Sequence, residues 1–150
     1  EIFKKSLQNI KDTRDRERPI EFRPVSPRNM VNPKEEPPEQ LLWLRLSEKA
    51  NTDRILNQAL LAYASDYTIL DTALMPHGIS IFQRNIQVAS LDHSMWFHRH
   101  FDINQWILYN QNSPNTFGNR GFAQGNMYSQ EGKLLASVSQ EGMIRLLPNN

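Results

Sequence analysis

The sequence predicts an α+β fold: one helix packed against one antiparallel sheet. Three observations carry this expectation. Leu56, Leu60, Tyr63, Tyr67 and Leu70 recur at spacings of four, three, four and three, which is one wide helical face. From Gln87 onward the chain reads as strand almost throughout. Short Gly-, Asn- and Ser-containing stretches separate these runs, as turns separate antiparallel strands.

The elements follow in order. Residues 1–18 are charged, with Phe3, Leu7 and Ile10 on one helical face, and read as a charged linker or short lead-in helix. Residues 19–40 hold six of the nine prolines, which rules out a regular helix there. Within them Ile20–Val25 alternates and predicts an edge strand. Leu41–Leu46 predicts a second strand. Asn51, Thr52 and Asp53 are N-cap candidates for the long helix, which should run to about Leu70. Its small residues Ala59 and Ala64 permit close approach to a sheet. Pro76-His77-Gly78 closes this region. Gln87–His98 predicts one long strand, Gln105–Tyr109 the next, and 110–119 a loop. Gly121–Tyr128 and Lys133–Leu146 predict two more strands, joined by a turn at Gln130-Glu131-Gly132.

Composition limits the function classes. With 150 residues, 39% of them hydrophobic, the chain can bury one core of ordinary size. Eight of sixteen acidic and nine of seventeen basic residues precede Leu41, so the remainder is richer in apolar residues than the mean. A net charge of +1 gives no argument for nucleic acid or a membrane surface. No cysteine is present, which excludes a disulfide framework, thiol catalysis and Cys-ligated zinc. No apolar run approaches a membrane span.

The chemistry concentrates in Leu91-Asp92-His93-Ser94-Met95-Trp96-Phe97-His98-Arg99. As an unbroken strand it places Ala89, Leu91, His93, Met95 and Phe97 on one largely apolar face. Ser90, Asp92, Ser94, Trp96 and His98 then share a mixed face that looks like the wall of a cleft. Asp92 has two readings: a general base or water-orienting group, or a carboxylate paired or exposed. A metal shared by Asp92 and His98 is excluded, because six residues of strand span roughly 20 Å. His98 and His100 could share a metal, with no third ligand evident. His93, on the apolar face, reads as a hydrogen-bonded core histidine.

Two residues elsewhere stand out. Ser113, in Gln111-Asn112-Ser113-Pro114-Asn115, reads as turn chemistry and lacks a G-x-S-x-G elbow. Gln140 is the lone polar side chain on a strand face made otherwise of Leu134, Ala136, Val138, Gly142 and Ile144. A buried amide without a partner costs about 1–3 kcal/mol, so Gln140 must meet a polar group or a bound water. Gly142 beside it would let a ligand or backbone come close.

These stretches resemble the type II acyl-CoA thioesterases. The Leu91–Arg99 motif, Leu61-Ala62-Tyr63-Ala64-Ser65-Asp66, Arg120-Gly121-Phe122-Ala123-Gln124-Gly125 and Ala136–Gly142 carry the likeness, in order, from about Pro19 to Leu147. The resemblance implies a hot-dog fold, a curved antiparallel sheet wrapped around one long helix, over residues 19–150. Family members carry two such repeats, and this chain is similar to the second, with residues 1–18 as linker. His100 departs from the Pro common after H-R in the family.

The family's catalytic group is an Asp, a Ser or Thr, and a Gln that hold a water against a thioester carbonyl. The resemblance maps it onto Asp92, Ser113 and Gln140. It implies an acyl-CoA substrate, free fatty acid and CoA as products, and no metal or redox cofactor. It further implies pairing with an N-terminal repeat or a homo-oligomer, and a cytoplasmic location. A peroxisomal one is the alternative, though the chain ends Leu-Pro-Asn-Asn and not Ser-Lys-Leu. Two other readings stay open: a non-catalytic module that depends on its partner repeat, and an enoyl-CoA hydratase-like hot-dog enzyme.

Overall fold

The computed structural model describes residues 19–148. The helix expected before Arg18 lies outside them. The strands are β1 (Ile20–Pro24), β2 (Glu39–Leu46), β3 (Ile86–Ser90), β4 (Ser94–Phe97), β5 (Ile107–Phe117), β6 (Arg120–Tyr128) and β7 (Leu134–Leu146). They form one antiparallel sheet in the order β1-β2-β5-β6-β7-β3, with β4 also on β7. The helices are α1 (Arg54–Ser65), the single-turn α2 (Asp71–Leu74) and a 3-10 turn at Met75–His77.

The inward residues of the sheet, among them Leu42, Leu44, Tyr109, Met127 and Val138, meet Leu61 and Ala64 of α1 in one core. Fully burying a side chain such as Leu61 stabilises by roughly 1.5–3 kcal/mol. Asp53 caps α1, its Oδ1 accepting from the Leu56 N–H at 2.8 Å. The helix is shorter than its periodicity predicts and ends at Ser65, whose Oγ donates to the Ala62 carbonyl at 2.7 Å. Beyond Asp66 come β-branched Thr68 and Ile69, and the chain turns so that Ile69 and Leu70 complete the core.

The face of α1 also differs from expectation. Asn57, Leu61, Ala64 and Ser65 are its buried residues. Leu56, Tyr63 and Tyr67, the predicted core stripe, are 42%, 48% and 40% exposed. Ala64 and Ser65 let α1 lie close to the strands, and a face of small residues wins over the more hydrophobic one.

The predicted long strand from Gln87 to His98 is two strands on one partner. On β7, Ser90 pairs with Gly142, and Ser94 with Ser139. Four steps along one strand thus face three along the other, so Leu91–His93 holds a one-residue bulge. The inward parity switches across it. Val88 packs on the core before the bulge, and Met95 after it. The face expected from unbroken alternation is therefore correct from His93 onward and inverted before it.

The expected loop at 110–119 is mostly strand. β5 continues to Phe117 with a bulge between Asn112 and Asn115, where Ser113 and Pro114 sit. A bulge is one of the few places a sheet accepts Pro. Gly118 and Asn119, with φ of 61° and 60°, make the two-residue turn into β6. Both angles are positive, as a type I′ hairpin requires. The second hairpin turn falls where the sequence puts it, with Gly132 at φ 78°.

Candidate active site

The bulge at Leu91–His93 positions the polar groups around Gln140. Gln140 projects from β7 into the interior and is fully buried. Because one residue is extra, Ser90 and His93 both turn inward, one on each side of the Gln140 amide. The Gln140 Nε2 donates to Ser90 Oγ at 2.8 Å. Its Oε1 meets His93 Nδ1 in a hydrogen bond. Ser90 Oγ donates in turn to Asp66 Oδ1 at 3.1 Å. His93 Nε2 lies 2.8 Å from Ser65 Oγ. Asp66 is the residue at which α1 stops, so the end of the helix and the interruption of the edge strand meet at this point. The polar partner required of Gln140 is thus present twice.

A cavity of about 370 Å³ lies over this cluster, lined by Ala62, Tyr63, Asp66, Leu91, Asp92 and His93, with Ser90. A larger one, about 610 Å³, runs between the end of α1 and β3. Leu70, Ile81, Ile86, Val88 and Met143 give it apolar walls. Asp66 and Ser90 belong to both, so the two cavities meet at the carboxylate and hydroxyl. Asp71, also on the wall of the larger cavity, has its carboxyl pushed up to about 6 by burial, against the opposing pull of Arg28.

The three residues mapped from sequence are not gathered together. Asp92 is exposed, and its Oδ1 accepts from the Glu141 N–H at 2.8 Å, which ties the bulge to β7 beside Gln140. Ser113 faces inward on β5, but its hydroxyl donates to the Phe122 carbonyl at 2.7 Å. The register sets Ala123 of β6 between the rows of Ser113 and Gln140. Two strand spacings amount to about 10 Å. Gly142 does not open room for a ligand: a methyl group there would strike the Leu70 side chain. That glycine serves core packing.

The sequence reading missed Asp66 and Ser90 as site residues. Ser65 and His93 form a Ser–His pair, but Ser65 is fully buried and its hydroxyl donates to the Ala62 carbonyl. It cannot reach a substrate as a nucleophile. Among the described residues no group of three or more His, Asp or Glu side chains is arranged to hold a metal ion. His98 Nε2 instead meets Ser137 Oγ at 3.0 Å.

A sheet curled around one helix defines a hot-dog fold. Comparison with known proteins agrees. Residues 9–143 match the family model described as acyl-CoA thioesterase, and the chain belongs to that family. It is 45% identical to acyl-CoA thioesterase 2 of Haemophilus influenzae over 86% of this chain and 45% of that protein. It is 39% identical to human acyl-coenzyme A thioesterase 8, over 87% of this chain and 40% of the relative. The acyl-CoA thioesterase II TesB2 of Mycobacterium marinum superposes with a TM-score of 0.72 at 38% identity, covering 85% of this chain and 49% of that one. The chain spans about half the length of the relatives it matches. No helix among the described residues is long and apolar enough to cross a membrane.

Proposed function

We propose that this chain is the catalytic half of an acyl-CoA thioester hydrolase, and that Asp66, Ser90 and Gln140 hold the attacking water. The observation that carries the proposal is the hydrogen-bond chain Gln140–Ser90–Asp66 at the junction of the two cavities. It is the Asp, Ser and Gln set that the family's chemistry calls for, joined around the same Gln140 by a different Asp and a different Ser from those mapped by motif.

The chemistry follows from the donors and acceptors. The Gln140 amide is buried and fixes Ser90. Ser90 spends its proton on Asp66 and keeps a lone pair. A water that donates one hydrogen to the Asp66 carboxylate and the other to Ser90 Oγ has its own lone pair aimed outward. A thioester carbonyl seated at the junction would receive that lone pair. As the oxygen–carbon bond forms, the water's proton passes to Asp66. Collapse of the tetrahedral adduct breaks the carbon–sulfur bond, and the departing CoA sulfur takes the proton back. One water and one thioester give one acid and one thiol. Positioning and proton transfer are the terms the site supplies, with no metal or redox cofactor in the scheme. The apolar walls of the larger cavity suit a fatty acyl chain.

The outward stripe of α1 suits a partner. Ile55, Leu56 and Tyr63 lie exposed on the helix, with Tyr67 just beyond its end and Leu91 across the smaller cavity from Tyr63. Several large apolar side chains exposed on one side of the fold suit an interface. In the proposed whole protein an N-terminal hot-dog repeat, or a second copy of this chain, covers them.

Thiol release from medium- and long-chain acyl-CoA by the full-length protein tests the reading. Turnover by wild type supports it, and no turnover across chain lengths overturns it. The 150-residue chain assayed alone decides the rival reading of a partner-dependent module, which predicts full activity only when the other half is present.

A further inference from the structure

We propose that His93 is a positioning residue that fixes the orientation of the Gln140 amide by donating from Nδ1, whatever its own charge. The inference rests on the functional reading above for its kinetic consequence and on the hydrogen-bond geometry alone for its chemistry.

The direction of every bond in the chain is forced from one end. The Asp66 carboxylate only accepts, so Ser90 donates to it. Ser90 has a single proton, so towards Gln140 it can only accept. Gln140 therefore turns its NH₂ to Ser90 and its carbonyl oxygen to His93. A carbonyl oxygen accepts, so the His93 Nδ1 must carry a hydrogen. In neutral His93 the lone pair then falls on Nε2, which faces Ser65 Oγ at 2.8 Å. Ser65 suits both charge states. Its hydroxyl can point at Nε2, or it can donate to the Ala62 carbonyl at 2.7 Å and accept from Nε2–H. Either way the Nδ1–H bond to Gln140 persists.

Histidine is thus used here against its usual role. Its only lone pair is directed at the buried Ser65, away from the cavity, so it has no base to offer a substrate. What it contributes is a donor on a rigid ring, anchored at both nitrogens between the end of α1 and the middle of β7. Without that donor the Gln140 amide can rotate and present oxygen to Ser90. Ser90 would then donate to Gln140, and the Asp66 carboxylate would lose its hydrogen bond. Of the other ionisable residues of the bulge and its partner strand, Asp92, Glu141 and Arg145, Asp92 accepts through Oδ1 from the Glu141 backbone N–H. The hydrogen bonds of the His93 ring go instead to Gln140 and Ser65.

The test uses the full-length protein and three variants. His93→Ala removes the donor. His93→Asn restores an N–H near the Nδ1 position but no bond to Ser65. Ser65→Ala removes the Nε2 partner alone. The expected result is a kcat about 10- to 100-fold lower in His93→Ala with KM unchanged. Recovery of most of that loss in His93→Asn is expected, with Ser65→Ala close to wild type. Equal losses in His93→Ala and His93→Asn, or a loss carried by KM, would overturn the inference. Imidazole-¹⁵N NMR gives a second readout that needs no turnover: the neutral ring should be the Nδ1–H tautomer. An Nε2–H tautomer overturns the proposal even in an active enzyme. Failure of wild type to hydrolyse any acyl-CoA would instead overturn the functional reading, leaving the tautomer to decide this one.

Discussion

The two bulged strands that flank the middle of the sheet make an instructive pair. Each carries one extra residue, and each sets a Ser on the inward face. At the edge bulge Leu91–His93, the extra residue brings Ser90 and His93 to one buried amide and draws Asp66 in from the end of α1. At the interior bulge of β5, Ser113 spends its proton on the carbonyl of Phe122 in the next strand. The edge bulge has solvent and a cavity on its open side. The β5 bulge is enclosed between β2 and β6, and Ser113 also donates its N–H to the Pro38 carbonyl at 2.8 Å. One irregularity gathers polar groups beside a cavity, and the other closes a ladder around a proline. The difference lies in what is left over: an acceptor-rich cluster facing a cavity, against a set of mutually satisfied groups.

Separate substitutions sharpen the contrast. Ser90→Ala should lower kcat about 100-fold by losing the hydroxyl that Gln140 and Asp66 share. Ser113→Ala should leave kcat within about threefold in the same assay, since its hydroxyl touches only backbone. Comparable losses in both would erase the distinction. Next in size is Gly142→Ala, opposite Ser90 at the foot of the edge bulge. The new methyl must displace Leu70, at a cost of about 1–3 kcal/mol in denaturant unfolding. A neutral result would mean that the space beside Gly142 is open, as a ligand pocket there would need. Ser113→Ala should in turn cost about 1 kcal/mol of stability, from one hydrogen bond lost beneath the sheet.

An effect of a different kind, read along the pH axis, is expected from Asp71, behind the same cavity wall. Burial raises its carboxyl pKa above the ordinary value of 3.8 to about 6. The folded state therefore binds the proton more tightly than the unfolded chain. Its contribution to stability is full below pH 3.8 and is lost as pH rises through about 6. Asp71→Asn should flatten the stability profile across that window, measured by denaturant unfolding at several pH values. An unchanged slope would remove Asp71 as its source.

Much of this arrangement was legible in the sequence, and the exceptions share a cause. Gln140 declared itself as the one polar residue in an apolar strand face, and its need for partners was a matter of energy. The strands, the helix and the second hairpin turn followed from period and turn chemistry. A bulge leaves no mark on alternation when both sides of it still alternate. Unbroken parity therefore set Ser90 on one face with Asp92 and apart from His93, whereas the bulge brings Ser90 and His93 together at Gln140. The choice of Asp92 came from the motif resemblance. Asp66 was hidden differently. It lay inside a helical period that runs to Leu70, and only the actual helix end at Ser65 turns it towards the edge strand. The outward stripe of α1 misled for a related reason. Leu56, Tyr63 and Tyr67 stand at the helical spacing of core residues, yet each is at least 40% exposed.

In the proposed mechanism the base is Asp66, at the end of α1, and not Asp92 on the bulge. The direct measurement is kcat for acyl-CoA hydrolysis by the full-length protein carrying Asp66→Asn or Asp92→Asn. Both substitutions keep shape and an accepting oxygen, and both remove the carboxylate. Asp66→Asn should lose about 10²- to 10⁴-fold, the usual worth of a general base. Asp92→Asn, still able to accept from the Glu141 N–H, should stay within a few-fold of wild type. The reverse order, with Asp92→Asn inactive and Asp66→Asn unimpaired, would contradict the account.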